Sequence, residues 1–395
     1  MNYVSHLECP KCGREYSAKE LHNLCQCGSP LLVKYHLEKI KTATSPDEVN
    51  HRRDNSMWRY KEFLPHEDDK NIISLGEGDT PIYRLDNLGR SIGLNNLFIK
   101  DEGLNPTGTF KARGAAAGVT KAKELGAKTI TMPSAGNAAA AWSAYTARAG
   151  LKSVVVMPED APEMAKKEAY MSGAEVYLVD GLISDAGEVV KQLVAENDWY
   201  EVTTLKEPYR LEGKKTMGLE IAEFFDWEMP DVILYPTGGG VGIIGIWKAM
   251  NELAELGWLK GKKAKLVAVQ STGCDPIVRA FKKGKKKSEF QQNAKTIAGG
   301  IRVPKSTGDF LVLQAVYETG GTATAVSDKI IKKSLKNLSK KEGLLVCPEG
   351  ASLVGAVEKL KQEGLIDSDD RILLLNTGSG LKYPDLMEGK YNFIS

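Results

Sequence analysis

The chain has 395 residues, 42% of them hydrophobic and 26% charged, the balance of a soluble globular protein large enough for two or more packed domains. With 53 Lys and Arg against 51 Asp and Glu, the formal net charge of +2 gives no electrostatic ground for nucleic acid or an anionic membrane as partner. No apolar stretch is long enough to span a bilayer, and the opening Met1-Asn2-Tyr3-Val4-Ser5-His6 lacks the charged-then-apolar order of a secretory signal, so a cytoplasmic location is the expectation.

Along the chain, the first feature is Cys9-Pro10-Lys11-Cys12 followed by Cys25-Gln26-Cys27. Two short knuckles can set four thiolates tetrahedrally around a structural zinc ion, with Cys9, Cys12, Cys25 and Cys27 as ligands. A redox pair or chance clustering are the other readings. A closed four-thiolate site has no open position for substrate, so it would fold a small ribbon and take no part in chemistry. Residues 36–70 are charged and poor in strand signals, and read as an arm or helical linker. Gly76-Glu77-Gly78-Asp79-Thr80-Pro81 then reads as a tight surface turn.

From Leu97 onward, short apolar runs alternate with helical spacing, the pattern of parallel sheets covered on both faces. Predicted strands are Leu97–Lys100, Thr129–Met132, Ser153–Met157, Glu175–Val179, Val232–Tyr235, Lys265–Gln270, Thr322–Val326, Leu344–Cys347 and Arg371–Leu375. Predicted helices are Ala138–Arg148, Pro162–Met171, Asp185–Ala195, Val241–Leu256 and Ala351–Gln362. The fold class is therefore α/β, doubly wound, in two domains. Cys274 and Cys347 read as small apolar fillers, and the basic run from Lys282 to Lys287 as a solvated loop.

All five histidines, His6, His22, His36, His51 and His66, precede residue 67. Chemistry in the body must proceed without a histidine base from the body itself, which argues against Ser-His-Asp and Cys-His catalysis there. Lysine, carboxylates, tyrosine or a cofactor must move the protons. Lys111, inside Asn105-Pro106-Thr107-Gly108-Thr109-Phe110-Lys111-Ala112-Arg113-Gly114, is the candidate. One reading makes it a first-turn residue of a helix capped by Thr109; the other makes it a reactive amine, whose commonest biological use is a Schiff base with pyridoxal phosphate.

Three small polar turns follow strands, where doubly wound sheets bind ligands. They are Ser134-Ala135-Gly136-Asn137, Thr237-Gly238-Gly239-Gly240-Val241-Gly242 and Asn376-Thr377-Gly378-Ser379-Gly380. The triple glycine suits a phosphate, because consecutive backbone N–H groups can converge on an anion at a helix N-terminus. It lacks a Walker lysine and a dinucleotide fingerprint, so a compact phosphate ester fits better than a nucleotide.

These pieces, with Gly76 to Pro81 and Pro348-Glu349-Gly350-Ala351, make residues 71–383 resemble the fold-type II pyridoxal phosphate enzymes, whose fold is tryptophan synthase β-like, and within them the threonine synthase branch. The cysteine ribbon is similar to one found on many chains of that branch. The resemblance implies a ribbon over 1–35, a linker over 36–70, a large cofactor-binding domain from 71–111 and 209–395, and a small α/β domain from 112–208. It implies Lys111 as the Schiff-base lysine and proton shuttle, Asn137 at the ring oxygen, Thr237, Gly238, Gly239, Gly240 and Val241 around the cofactor phosphate, and Thr377 at the pyridine nitrogen. Ser134, Asn137 and Thr80 would serve the substrate, a small amino acid carrying a phosphate. The implied reaction turns O-phospho-L-homoserine and water into L-threonine and phosphate, in a homodimer. Two positions depart from the branch: Ala112 stands where aspartate is usual after the lysine, and Ala138 where threonine is usual after the asparagine. They leave open β-elimination or β-replacement on another amino acid, as in a serine or threonine dehydratase or a cysteate synthase-like enzyme. A non-enzymatic ligand sensor whose ribbon contacts a partner is the third reading. Arg113 either orients the lysine turn or simply sits on its helix, and Lys382 and Tyr383 carry no assigned role.

Overall fold

The computed structural model describes residues 3–387, 389 and 392–394. Positions 1 and 2 of the expected ribbon, and 388, 390, 391 and 395 of the expected large domain, lie outside the described residues. Three strands, β1 (Val4–Glu8), β2 (Glu15–Tyr16) and β3 (Leu32–Tyr35), form an antiparallel sheet in the order β2-β1-β3 that carries the cysteine knuckles.

Strands β4 (Ile82–Arg84) and β5 (Asn96–Asp101) begin a second sheet. The chain then leaves it to build a small parallel sheet from β6 (Thr129–Pro133), β7 (Lys152–Pro158), β8 (Glu175–Val179) and β9 (Tyr200–Glu201), in the order β8-β7-β6-β9. It returns with β10 (Val232–Pro236), β11 (Lys265–Ser271), β12 (Thr322–Val326) and β13 (Arg371–Asn376), which complete the larger sheet in the order β12-β11-β10-β13-β5-β4. Only the edge strand β4 runs antiparallel. β10 is buried along its whole length, as a strand covered by helices on both faces must be.

This order decides where the site lies. β10, β13 and β5 are neighbours and parallel, so the turns that follow their carboxyl ends sit side by side: the glycine loop, the Asn376–Gly380 turn and the lysine turn. Thr109 and Gly378 form a bridge, the Phe110 N–H donates to the Thr377 carbonyl at 3.1 Å, and the Ser379 N–H donates to the Gly108 carbonyl at 2.8 Å.

Three differences between sequence and structure bear on the site. The predicted strand Leu344–Cys347 is extended chain with a single bridge, Val346 to Ser379, because Cys347 leaves the sheet to cap a helix: its Sγ accepts from the Gly350 N–H at 3.3 Å. That helix, Pro348–Gln362, consequently starts ahead of the expected Ala351. The turn Gly76–Pro81 is a surface feature only in part: Gly76 and Asp79 are exposed, but Glu77 is fully buried and its carboxylate accepts from Trp58 Nε1 at 2.8 Å and Tyr145 Oη at 2.6 Å. The third difference is the helix Arg210–Phe224, buried on all sides although it carries Arg210, Glu212, Lys214, Lys215 and Glu220. Gly213 lies on the Arg113 carbonyl and Gly245 on the Lys214 backbone, so helices Lys111–Glu124, Arg210–Phe224 and Val241–Leu256 cross at contact distance. The segment read as an arm or helical linker is helical at Leu37–Ala43 and Pro46–Asn50, and buries Ile40 and Val49 in the main core.

Candidate active site

Lys111 is placed by a rigid turn. After β5 the chain passes through Asn105, whose Nδ2 donates to Glu102 Oε2 at 2.8 Å and whose Oδ1 accepts from the Gly78 N–H at 3.0 Å. Thr107 and Gly108 then take left-handed conformations, φ 62° and 66°, and Lys111 opens the next helix. The Lys111 N–H donates to Thr109 Oγ1 at 3.3 Å, but the helix cap is Phe110, without a side-chain bond, and not Thr109 as the sequence predicts, because Thr109 is still extended and bridged to Gly378.

The amine itself lies 4.6 Å from the Phe110 ring centre. Burial, and after it the Arg210 guanidinium, lower its pKa to about 8, against the Glu349 carboxylate, which acts the other way. Around it is a small cavity lined by Phe110, Lys111, Trp142, Thr204, Arg210 and Lys214, with Val241 at its edge.

Val241 begins the helix that follows the glycine loop. The backbone of that loop is closely held: a Cβ on Gly238 would meet the Gly300 carbonyl at 2.6 Å, and one on Gly240, at φ 85°, would meet Val312 at 2.3 Å. Thr237 is fully buried, donates from Oγ1 to the Tyr235 carbonyl at 2.9 Å, and presents the loop rather than its own side chain. Gly239 lies against Thr204, and its carbonyl accepts from Ser306 Oγ at 2.8 Å.

The other sequence-derived residues fall into two groups. Asn137 opens the helix after β6 and donates from Nδ2 to Tyr383 Oη at 3.0 Å, and Thr377 Oγ1 lies 3.6 Å from Cys347 Sγ. Ser134 and Thr80 have hydroxyls that are already engaged. Ser134 Oγ accepts from the Ala139 N–H at 3.1 Å, and Thr80 Oγ1 donates to Glu102 Oε1 at 2.6 Å in the buried network of Arg113.

Sequence reasoning gave no role to Arg210, Lys214, Glu349 or Tyr383. Arg210 and Lys214 share a highly charged stretch in which the sequence predicts no element; only its burial between two other helices brings them to the lysine. Glu349 stands in the quoted Pro-Glu-Gly-Ala motif, but the motif carries no sign that its carboxylate would face an amine far away in sequence.

In the N-terminal ribbon the four cysteines converge. Sγ of Cys9 lies 3.5 Å from that of Cys27 and Sγ of Cys12 3.6 Å from that of Cys25, and all four lie within 4.8 Å of one another. A tetrahedral zinc ion with bonds of about 2.3 Å needs sulfurs about 3.8 Å apart, so the cluster has the right size. The two knuckles are alike: Cys9 N–H donates to the Arg14 carbonyl and Cys25 N–H to the Ser29 carbonyl, each at 2.9 Å, with Gly13 and Gly28 in left-handed conformation. Asn23, between them, donates to the Glu201 carbonyl at 2.7 Å and fixes the ribbon to the end of β9.

Residues 73–378 match the family model described as pyridoxal-phosphate dependent enzyme. The chain is 40% identical over 378 residues to a threonine synthase of Methanocaldococcus jannaschii, covering 95% of this chain and 93% of that one. It is 37% identical over 388 residues to a threonine synthase of Methanosarcina acetivorans, covering 96% and 92%. Among solved structures, maize serine racemase shares the fold at 24% identity and a TM-score of 0.68, over 78% of this chain and 90% of that one. A threonine deaminase of T.th. superposes at 26% identity and a TM-score of 0.63, over 76% and 92%.

Proposed function

This chain belongs to the pyridoxal-phosphate dependent enzymes and within them to the threonine synthase family, and on that footing we propose that it converts O-phospho-L-homoserine and water to L-threonine and phosphate. The observation that carries the reading is Lys111, an amine lowered to about 8 in a cavity that Val241, the first residue of the helix after the glycine loop, also lines.

The residues fit the cofactor. The backbone at Gly238 and Gly240 is packed so closely that a Cβ would collide there, and glycine at these positions leaves main-chain N–H groups that could gather round a phosphate. Bound there, pyridoxal phosphate would supply an electron sink for the substrate's α carbon, a weaker one with the uncharged Thr377 hydroxyl in place of a carboxylate at its ring nitrogen. Thr237 and Val241 frame the cradle, and Asn137 would offer its amide to the ring oxygen.

The work of the side chains follows from their chemistry. Lys111 Nζ, largely able to shed its proton near pH 8, would hold the cofactor and, once freed, take the α proton and return protons along the substrate. Ser134 and Asn137, at the start of a helix, would take the substrate carboxylate, Ser134 exchanging its bond to the Ala139 N–H. Thr80 would approach the substrate phosphate by giving up its bond to Glu102.

Further assignments rest on the same footing. The sulfur separations support structural zinc at Cys9, Cys12, Cys25 and Cys27. The separate sheets support a division into a ribbon over 1–35, a linker over 36–70, a large domain of 71–111 with 209–395, and a small domain of 112–208. A homodimer and a cytoplasmic location come from the family resemblance, and among the described residues no helix is long and apolar enough to cross a membrane.

A second reading, elimination on serine or threonine, is favoured by one residue: Ala138, half-buried beside Asn137, has no hydroxyl to offer near the reacting carbons. Purified protein loaded with pyridoxal phosphate and given O-phospho-L-homoserine should release phosphate and L-threonine in equal amounts. Keto acid from serine or threonine, with the phosphoester intact, would select the second reading. Absence of cofactor absorbance in the visible range would overturn both.

A further inference from the structure

One loop of this fold has the cysteine ribbon on its outer side and the Lys111 cavity on its inner side. Residues 202–209 run from the end of β9 to the helix Arg210–Phe224. They wrap the Arg210 guanidinium: Nη1 donates to Thr204 Oγ1 at 3.2 Å, Nη2 donates to the Val202 carbonyl, and Nε lies 3.3 Å from Glu207. The guanidinium also lies 4.7 Å from the centre of the Trp142 ring, and Thr204, Arg210 and Trp142 all line the cavity.

The loop's shape needs support from outside. Leu205 sits at φ 61°, a left-handed conformation that a residue with a Cβ keeps only where its surroundings hold it. Part of that hold comes from the ribbon. Asn23 Nδ2 donates to the Glu201 carbonyl at 2.7 Å and to the Lys206 carbonyl at 3.3 Å, so one amide clasps the loop at two points, while the His22 carbonyl accepts from Tyr200 Oη at 3.0 Å. Tyr209, the residue before Arg210, is fully buried in the ribbon's own core with Leu7, Cys9, Cys25 and Leu31. Asn23 stands two positions before Cys25, so the knuckle that gathers the thiols also places the clasp.

We propose that the ribbon is the outer wall of the active site: Asn23 and Tyr209 are positioning residues that hold the loop 202–209, and through it the Arg210 guanidinium, in the Lys111 cavity. The inference rests on reading that cavity as the active site. Its consequence is electrostatic. After burial, Arg210 is what lowers Lys111; Glu349 acts the other way from the helix Pro348–Gln362, and the Lys214 amine lines the same cavity. A loosened loop would admit water and let Arg210 move away, and both changes raise Lys111 toward the usual lysine range.

The test compares the full-length protein, stripped of cofactor, with Asn23→Ala, Tyr209→Ala and Tyr209→Phe, thermal unfolding showing which variants are folded. Asn23→Ala and Tyr209→Ala should speed amide hydrogen exchange over residues 203–210 and phenylglyoxal labelling of Arg210 by about five- to tenfold, the effect of losing one hydrogen bond or one packed ring on local opening. Exchange in the helix Asp328–Glu342, the internal control, should stay as in the parent. Tyr209→Phe should match the parent throughout, because the Tyr209 hydroxyl has no hydrogen-bond partner among the described residues. The pH midpoint of Lys111 acetylation by acetic anhydride, read by peptide mass spectrometry and near 8 in the parent, should rise by about half a unit in the two loosened variants, leaving about threefold less neutral amine at pH 7. Parent-like exchange and labelling in folded Asn23→Ala or Tyr209→Ala overturns the proposal. So does a faster-exchanging loop with an unmoved midpoint, which would make the ribbon a support for the loop alone. Failure of the active-site reading shows separately, as visible cofactor absorbance that survives in Lys111→Ala, and leaves the labelling to judge the ribbon.

Discussion

Arg113 grips Glu102 with two hydrogen bonds, Nε to Oε2 at 2.6 Å and Nη2 to Oε1 at 2.8 Å, and neither side chain is exposed. The pair ties the helix that Lys111 opens to the turn that leaves β5. Arg113 also donates to both oxygens of Glu220, at 2.5 and 2.7 Å, so three segments that meet under the lysine share one guanidinium. Of the two roles open to Arg113 from its sequence, the contacts match the one that orients the lysine turn.

Removing the guanidinium would strand two buried carboxylates. Arg113→Gln should cost about 3–5 kcal/mol of stability, the usual penalty for taking one partner from a buried ion pair. Arg113→Lys should cost a large part of that, since an ammonium cannot serve both carboxylates in this forked geometry. Urea unfolding checks both, and a loss below about 1 kcal/mol in either variant would contradict the role.

The same network sets a pH dependence. Burial alone would raise the Glu102 and Glu220 carboxyls, but Arg113 and then Lys100 overcome it and hold both below the usual glutamate range, Glu220 far below. A carboxylate lowered on folding stabilises fully above its unfolded pKa, and that stability drains away as pH falls toward the folded value. Stability should therefore decline steadily as pH drops below about 4.5. Acid unfolding followed by circular dichroism should be shallower in Glu220→Gln, which starts less stable at neutral pH.

The glycine cradle predicts a binding defect without unfolding. In Gly238→Ala the new methyl would meet the Gly300 carbonyl at 2.6 Å, a backbone atom that cannot step aside alone. Pyridoxal phosphate affinity, titrated by visible absorbance, should fall at least about tenfold. Gly299→Ala, which has nothing within 4 Å of its Cβ position, is the control and should bind normally.

The cysteine cluster predicts that metal holds the ribbon down. Purified protein should contain one zinc per chain by atomic spectroscopy, and Cys25→Ser should lose it. Because Tyr200 Oη donates to the His22 carbonyl at 3.0 Å and Asn23 to that of Glu201, the ribbon's loss should raise proteolysis near residues 1–35 and lower the unfolding temperature. Protein that carries no zinc yet resists protease equally would count against the assignment.

Much of this was legible in the sequence because it is local. Strand and helix periods come from spacing along the chain, and glycine turns after strands announce a ligand in an α/β sheet. The lysine motif, the triple glycine and the cysteine knuckles are contiguous, so each declares its own chemistry. Leu344–Cys347 failed as a strand since a short apolar run looks the same whether it pairs in a sheet or, as here, ends at a helix cap. Arg210–Phe224 escaped notice for the opposite reason: its carboxylates Glu220 and Glu212 pair with Lys100, Arg113 and Lys248 on other elements, and no local pattern records a distant counterion.

The sequence by itself determined the class of fold and singled out Lys111, the glycine loop and the cysteine knuckles as candidates, since each depends on the order of residues within a short segment. Tertiary structure alone decided that three turns would lie side by side, because strand order is set by which strands pair, and pairing is non-local. It alone decided the electrostatics as well: Lys111 is lowered by burial and by Arg210, 99 positions away in the chain. Charge acts through space in a medium of low dielectric, and only the folded chain defines that space.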